Sequence, residues 1–236
     1  MLSTIKALFI MIQFVITILI TIILMYTFRN KTHKIRQIWA KMQAYLIGFK
    51  VVYKGEPDKN AKMILVNHQS LLDITSLESI YPKDLCWVAK KEIRDIPLFG
   101  HILEAPKMIV IDRKDRRSLV KMVKEAKQRI SEGRVIAIFP EGTRGKGIKL
   151  AKFQKGAKFL AEKLDLKIQP IVVTNTRYIF DSQNFKARRG TIEVHYLDTV
   201  DPKMDENWYE KVRDNMQKTL DKFNNRTSTN KKEATL

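Results

Sequence analysis

Hydrophobic and polar positions follow three successive patterns along the chain. Residues 7–28 carry no charge, and about 20 apolar residues suffice to cross the hydrocarbon core of a bilayer. Residues 34–49 repeat apolar and aromatic side chains at steps of three and four, which predicts an amphipathic helix. From residue 50 onward, short apolar runs alternate with segments of helical periodicity.

The alternating region predicts an α/β domain with a single mixed, largely parallel sheet flanked by helices. The predicted strands are 50–54, 63–67, 85–90, 108–112, 135–140, 168–174 and 191–197. The predicted helices are 70–80, 96–103, 117–132, 150–164 and 205–223. Residues 224–236 are polar and predict a disordered tail. The domain plan is therefore a membrane anchor with an amphipathic helix in 1–49, an α/β domain in 50–223 and a tail in 224–236.

The N-terminal pattern predicts a membrane-associated pair of helices. Cations flank the apolar segment, one before and four after it: Lys6, Arg29, Lys31, Lys34 and Arg36. This asymmetry predicts that the domain lies on the cytoplasmic side. The alternative to a membrane segment at 7–28 is a buried helix of a soluble core. The amphipathic helix either lies in the membrane interface, with Trp39 and Tyr45 at headgroup depth, or packs on the domain. Whether 7–28 spans the bilayer or lies in one leaflet stays open.

Charge and cysteine content narrow the class of protein. Lys and Arg number 44 against 25 Asp and Glu, so the net charge is +19 over 236 residues. Such an excess predicts an anionic partner: lipid headgroups, a phosphorylated substrate, an acidic protein or nucleic acid. The single cysteine, Cys86, lies in an apolar run and is predicted to be a core residue. A disulfide within the chain is excluded.

His68 and Asp73 form the first candidate site. His68 follows the predicted strand 63–67, and Asp73 falls in the first turn of the next helix. On one continuous helix, residues five apart point roughly 140° away from each other. If the helix begins near Ser70, the chain folds back, and Asp73 can hold one imidazole nitrogen while the other acts as a base. The alternative is an N-terminal cap formed by Ser70 and Asp73, with His68 an ordinary turn residue.

A second candidate site follows the predicted strand 135–140, in the run from Phe139 to Gly145. Loops at strand ends of α/β sheets commonly hold ligands. Gly142 allows close approach of a ligand to the backbone, and Arg144 offers a donor fork suited to phosphate. Glu141 can orient that arginine or accept a substrate hydroxyl. A solvated turn with an incidental ion pair is the alternative.

Four sequence blocks in fixed order identify the family that this chain resembles. They are Asn67-His68-x4-Asp73, Ile111-Asp112-Arg113, Phe139-Pro140-Glu141-Gly142-Thr143-Arg144 and Gln169-Pro170-Ile171-Val172. In this order behind an apolar segment, they resemble the glycerolipid acyltransferase family over about residues 35–200. The departures are Lys107, where a glycine is common, and Gly145, where a serine is common.

The resemblance implies a role for each matching residue. His68 corresponds to the catalytic base and Asp73 to the residue that orients it. The block that binds glycerol phosphate supplies Glu141, Gly142, Thr143 and Arg144, and the basic positions that hold the phosphate are Lys90 and Arg113. The resemblance implies no metal and no cofactor, with acyl-CoA or acyl-ACP as co-substrate.

The resemblance also implies a reaction and a location. The expected reaction moves a fatty acyl group from a thioester to the sn-2 hydroxyl of lysophosphatidic acid, which gives phosphatidic acid for phospholipid biosynthesis. The expected partners are membrane lipids, lysophosphatidic acid and acyl carrier protein or coenzyme A thioester, with no nucleic acid. The expected location is the cytoplasmic side of the inner membrane. The alternatives are another acceptor, such as glycerol 3-phosphate or a lyso-ornithine lipid, and a non-catalytic membrane protein that binds anionic lipid.

Overall fold

The computed structural model describes residues 2–115 and 117–233, with side chains described for 3–115 and 117–226. Its helices are α1 (Leu2–Thr27), α2 (Thr32–Ile47), α3 (Leu72–Ile80), α4 (Lys91–Arg94), α5 (His101–Glu104), α6 (Arg117–Ser131), α7 (Lys155–Lys163), α8 (Thr176–Ile179) and α9 (Trp208–Glu233). Its strands are β1 (Phe49–Lys54), β2 (Met63–Val66), β3 (Leu85–Lys90), β4 (Ile109–Ile111), β5 (Val135–Ile138), β6 (Ile168–Thr174), β7 (Phe180–Asp181), β8 (Lys186–Ala187) and β9 (Gly190–Tyr196).

In the described part of the chain, seven strands form one mixed sheet in the order β1-β9-β6-β2-β5-β3-β4. The five strands from β6 to β4 are parallel to one another, β9 is antiparallel to β6, and β1 is parallel to β9. The predicted fold class and the seven predicted strands are confirmed. The short hairpin of β7 and β8 was not predicted. Because the five core strands are parallel, the loops at their carboxyl ends gather at one edge of the sheet.

Helices cover both faces of the sheet. Alternate residues of β2 separate the two cores: Ile64 and Val66 pack with α1, α2 and α3, and Met63 and Leu65 pack with α6, α7 and α9. Strands β2, β5 and β6 are buried along their whole length. Strands buried on both faces have nearly continuous apolar sequences, which explains why the short apolar runs predicted them correctly.

Helix α1 lies along the domain and is attached to it near both ends. The Ser3 hydroxyl donates to the carbonyl oxygen of Ala187 at 3.2 Å, and the Tyr26 hydroxyl contacts Nδ1 of His101 at 2.8 Å. Within the described residues, Ser3–Thr27 is the one helix long and apolar enough to cross a membrane. Its outward face exposes an apolar stripe: Ile5, Leu8, Phe9, Ile12, Val15, Ile16, Ile20, Ile23 and Leu24.

The interpretation that the amphipathic helix packs on the domain holds for the side of α2 that carries Trp39. The interpretation that it lies in the membrane interface stays a prediction. Trp39 is buried against α1, where its indole N–H donates to the Thr17 hydroxyl at 3.1 Å. Tyr45 is 86% exposed, and Ile38 and Leu46 are exposed as well. Helix α2 therefore packs on the domain with one side and presents aromatic and aliphatic groups outward with the other.

Arg36 was predicted to be one of the cations flanking the membrane segment, but it lies in the interior. Its guanidinium pairs with Glu78 of α3 and with Asp84, and Arg36 is 5% exposed. Asp84 also pairs with Arg134, whose Nε lies 3.0 Å from Oδ2 of Asp84. The spacing of charges beside an apolar segment does not distinguish a solvated cation from one that is paired across a helix interface.

Two predicted helices begin or break differently from the prediction. The helix predicted at 96–103 is replaced by a tight turn and the short helix α5, because Leu98 adopts a left-handed φ of +64° and Gly100 packs directly on the backbone of Arg94. The helix predicted from residue 150 begins at Lys155, because the N–H of Ala151 donates to the Glu141 carboxylate.

The tail predicted to be disordered from residue 224 is helical in the structure as far as residue 233. Helix α9 continues to Glu233. Its extension begins with two contacts to the domain, from the Asn224 amide to the carbonyl oxygen of Gly147 at 3.2 Å and from Arg226 to Glu193. Residues 224–233 contain neither glycine nor proline to end the helix. Residues 234–236 lie outside the described residues.

We expect Arg36→Met to lower the free energy of unfolding by about 3–5 kcal/mol, because it leaves the buried Glu78 carboxylate without its ion-pair partner. Thermal unfolding in detergent micelles measures the loss. Lys41→Met, at an exposed position of the same helix, is the matched control and should change stability little. Equal losses in the two variants would show that the buried pair does not secure α2.

Candidate active site

The turn between β2 and α3 brings His68 and Asp73 into contact. Nδ1 of His68 lies 2.8 Å from Oδ2 of Asp73. Helix α3 begins at Leu72, so the residues between the pair form a turn and the chain folds back, as the sequence analysis predicts. Because Asp73 occupies Nδ1, the other ring nitrogen, Nε2, is the one that can accept a proton.

The Asp73 carboxylate has no exposed surface and accepts three hydrogen bonds besides the contact with His68. The backbone N–H groups of Gln69 and Ser70 donate to Oδ2 at 2.6 and 2.9 Å. The Thr176 hydroxyl, at the start of α8, donates to Oδ1 at 2.5 Å. The capping and catalytic interpretations of Asp73 are therefore compatible, since one carboxylate holds both the turn and the imidazole.

The imidazole of His68 is also held by stacked rings. The ring of Phe139 lies parallel to it, with centroids 3.9 Å apart and an interplanar angle of 13°. Trp87 covers the other side of Phe139 at 5.0 Å and 21°. The His68 side chain is 14% exposed, so the ring edge stays accessible while one face is covered.

Glu141 joins the two loops that carry the predicted motifs. It is 3% exposed. Its Oε1 accepts from the N–H of His68 at 2.9 Å, and its Oε2 accepts from the N–H of Ala151 at 2.7 Å. Burial raises the pKa of the Glu141 carboxyl, while these two backbone donors oppose the rise. Both oxygens thus accept from backbone donors, so Glu141 fixes the two loops. Among the described residues, no ion pair joins Glu141 to Arg144.

The cationic residues surround the same edge of the sheet. Gly142 has φ of +69°, and a Cβ there would lie 2.5 Å from a guanidinium nitrogen of Arg113, so Arg113 lies directly over the Gly142 backbone. Arg144 is half-buried, and burial lowers its pKa while the Asp73 carboxylate opposes the fall. Lys90 ends β3, between β5 and β4, and is half-buried. Thr143 is exposed in the loop.

Sequence reasoning missed two residues that support these loops. Thr176 binds Asp73, and Arg177 donates to the carbonyl oxygen of Gly145 at 2.9 Å and pairs with Asp181. Both follow β6, whose carboxyl end adjoins that of β2. The only sequence signal was their position directly after a predicted strand.

Comparison with known proteins assigns the part of the chain that carries this site to a family. The family model described as acyltransferase matches residues 50–174, which include every predicted site residue. This chain belongs to the acyltransferase family.

Individual acyltransferases show how far the similarity extends. A 1-acyl-sn-glycerol-3-phosphate acyltransferase of Helicobacter pylori (strain J99) is 43% identical over 175 residues, which cover 73% of this chain and 74% of that protein. One of Cocos nucifera is 31% identical over 69% of this chain and 54% of its own length. The crystal structure of the 1-acyl-sn-glycerophosphate acyltransferase PlsC from Thermotoga maritima has a TM-score of 0.72 at 22% identity, and the match covers 94% of this chain and 95% of that one. That structure supports the same fold.

We expect Thr176→Val to lower the free energy of unfolding by about 1.5–3 kcal/mol, the usual value of a hydrogen bond to a charged group. It should also lower kcat for acyl transfer, because Oδ1 of Asp73 loses the contact that fixes it. Thr174→Val is the matched control, since Thr174 is equally buried but donates at 3.4 Å to a backbone oxygen of β9. If thermal unfolding and turnover change equally in both, Thr176 does not support the site.

Proposed function

We propose that the protein transfers a fatty acyl group from acyl-CoA or acyl-ACP to the sn-2 hydroxyl of lysophosphatidic acid, with phosphatidic acid as the product. The observation that carries this proposal is the His68–Asp73 pair, 2.8 Å apart, at a sheet edge bordered by Arg113 and Arg144. The names of the related acyltransferases support the choice of acceptor.

In the proposed mechanism, Nε2 of His68 removes the proton from the sn-2 hydroxyl as its oxygen attacks the thioester carbonyl. The C–S bond then breaks, and the imidazolium returns the proton to the departing thiolate. Asp73 stabilises the imidazolium and keeps the proton on Nδ1. General-base catalysis of this kind contributes roughly 10²–10⁴-fold to the rate.

A direct transfer without an acyl-enzyme fits the environment of the single cysteine. Cys86 is buried on the face of the sheet covered by α6 and α9. Burial raises the pKa of its thiol to about 11, whereas nucleophilic cysteines have lowered pKa values. Cys86 therefore belongs to the core and is not a nucleophile.

The acceptor phosphate is proposed to bind where Arg113 lies over Gly142. Because Gly142 has no Cβ, the guanidinium of Arg113 can pack directly on the backbone at this position. Arg144 and Lys90 supply further positive charge at the same edge. Planar guanidinium groups suit phosphate oxygens because they donate two parallel hydrogen bonds.

We further propose that the domain lies on the cytoplasmic side of the inner membrane. The exposed stripe of α1 and the exposed side of α2 supply the membrane-contacting surface. The turn between α4 and α5 adjoins them, since its Phe99 packs with α1 and α2 while Leu98 is 66% exposed. The net charge of +19 favours an anionic lipid surface.

Purified protein incubated with lysophosphatidic acid and acyl-CoA, and separately with acyl-ACP, should give phosphatidic acid detectable by mass spectrometry. We expect His68→Ala to lower kcat by about 10²–10⁴-fold. His195→Ala is the matched control, because His195 lies on β9 against Glu193, away from the site. Undiminished turnover by His68→Ala would refute the mechanism.

The same assay discriminates between acceptors. Glycerol 3-phosphate and a lyso-ornithine lipid test the alternative substrates, and monoacylglycerol tests the need for the phosphate. Lipid binding without turnover of any thioester would favour the non-catalytic alternative.

Protease digestion of oriented membrane vesicles tests the location. We expect the domain to be cleaved in inside-out inner-membrane vesicles and protected in right-side-out ones, because cations follow α1. The converse protection pattern would place the domain on the other side of the membrane.

A further inference from the structure

Three aromatic rings carried by neighbouring strands form one stack, and the imidazole of His68 is one of them. His68 follows β2, Phe139 follows β5 and Trp87 belongs to β3, and these strands are adjacent in the order β2-β5-β3. The ring centroids are 3.9 Å apart from His68 to Phe139 and 5.0 Å apart from Phe139 to Trp87. Trp87 is 5% exposed. The imidazole is thus the outermost ring of a stack whose inner end lies in the core.

The inner end of the stack is fixed by a buried charge. The indole N–H of Trp87 donates to Oε1 of Glu78 at 2.8 Å. Glu78 is 4% exposed, and its carboxylate pairs with Arg36 of α2. Burial raises the pKa of Glu78, while Arg36 and the indole N–H oppose the rise. Removing one partner of a buried ion pair leaves the other charge uncompensated, so Arg36, Glu78 and the indole of Trp87 hold one another in place as a unit.

We propose that Trp87 is a positioning residue for His68, and that Glu78 and Arg36 position Trp87. The Asp73 contact sets the direction of Nδ1, and the stack sets the plane of the ring, so together they restrict both rotations of the imidazole. Since Arg36 lies on α2, the docking of this N-terminal helix on the domain acts on the catalytic ring through Glu78, Trp87 and Phe139. This inference rests on the proposed role of His68 as the base.

Trp208 provides a matched comparison within the same chain. It is 1% exposed, its indole N–H donates to Oε1 of Glu162 at 3.1 Å, and its ring packs on Tyr209. It lies in the core on the opposite face of the sheet. Replacing Trp208 therefore removes a similarly buried ring and an indole hydrogen bond to a carboxylate, here the half-exposed Glu162, without touching the stack on His68.

The test compares Trp87→Leu with Trp208→Leu in the full chain, purified in detergent micelles. One readout is kcat and KM for acyl transfer, measured below both unfolding temperatures. The other is the rate at which diethyl pyrocarbonate modifies His68, located by peptide mass spectrometry. A displacement of about 1 Å in a catalytic group can lower the rate by about 10²-fold. We expect Trp87→Leu to lower kcat by roughly 10–100-fold with KM unchanged, and to raise the modification rate of His68.

A conservative pair of variants keeps the test valid if Trp87→Leu does not fold. Trp87→Phe keeps a ring in the stack but loses the N–H to Glu78, so it should change kcat and the modification rate in the same direction by less. Trp208→Phe is its control and should leave both unchanged. Arg36→Met should likewise lower kcat and expose His68, whereas Lys41→Met should not.

Equal kcat and equal His68 modification in the Trp87 and Trp208 variants would overturn the proposal and leave Trp87 an ordinary core residue. The modification readout requires no turnover. An inactive wild-type protein would therefore count against the proposed function, while a modification rate that rises only in the Trp87 variants would still support the positioning of His68.

Discussion

The structure of the site depends on one buried carboxylate. Asp73 has no exposed surface, yet it is surrounded by four groups that can donate to it: the ring of His68, two backbone N–H groups and the Thr176 hydroxyl. A buried polar group is costly unless it is hydrogen-bonded, and these four groups supply hydrogen bonds to both oxygens of Asp73. The same contacts close the turn after β2, start α3 and draw α8 against it. Removing the carboxylate would therefore affect the turn as well as the imidazole.

Parallel strand order then supplies the remaining groups. The loops after β2, β5 and β4 carry His68, Gly142 and Arg113, respectively. Lys90 ends β3, which lies between β5 and β4 in the sheet. Glu141 links the loops after β2 and β5, because its carboxylate accepts from the backbone N–H groups of His68 and Ala151. Rigid strands with backbone-anchored loops hold a constellation of side chains more accurately than free loops do. This explains how residues far apart in sequence meet at one sheet edge.

Much of this arrangement could be predicted from local sequence patterns. The strands were predictable because buried parallel strands are short apolar runs, and the His68–Asp73 contact was predictable because both residues flank one turn. Thr176 and the stack of Trp87 and Phe139 were not predictable, since their contacts depend on which strands are neighbours. Arg36 was misplaced because its partners, Glu78 and Asp84, are more than 40 residues away. Roles for individual site residues came from the family resemblance, not from spacing alone.

The stack on His68 has a stereochemical consequence. One face of the imidazole is covered by Phe139 and one nitrogen is occupied by Asp73. In the proposed mechanism, the incoming hydroxyl therefore approaches Nε2 along a line in the plane of the ring. The attacked carbon becomes a centre with four different substituents. With the hydroxyl held to one line of approach, the handedness of that centre is set by the face of the thioester carbonyl that the site presents to it.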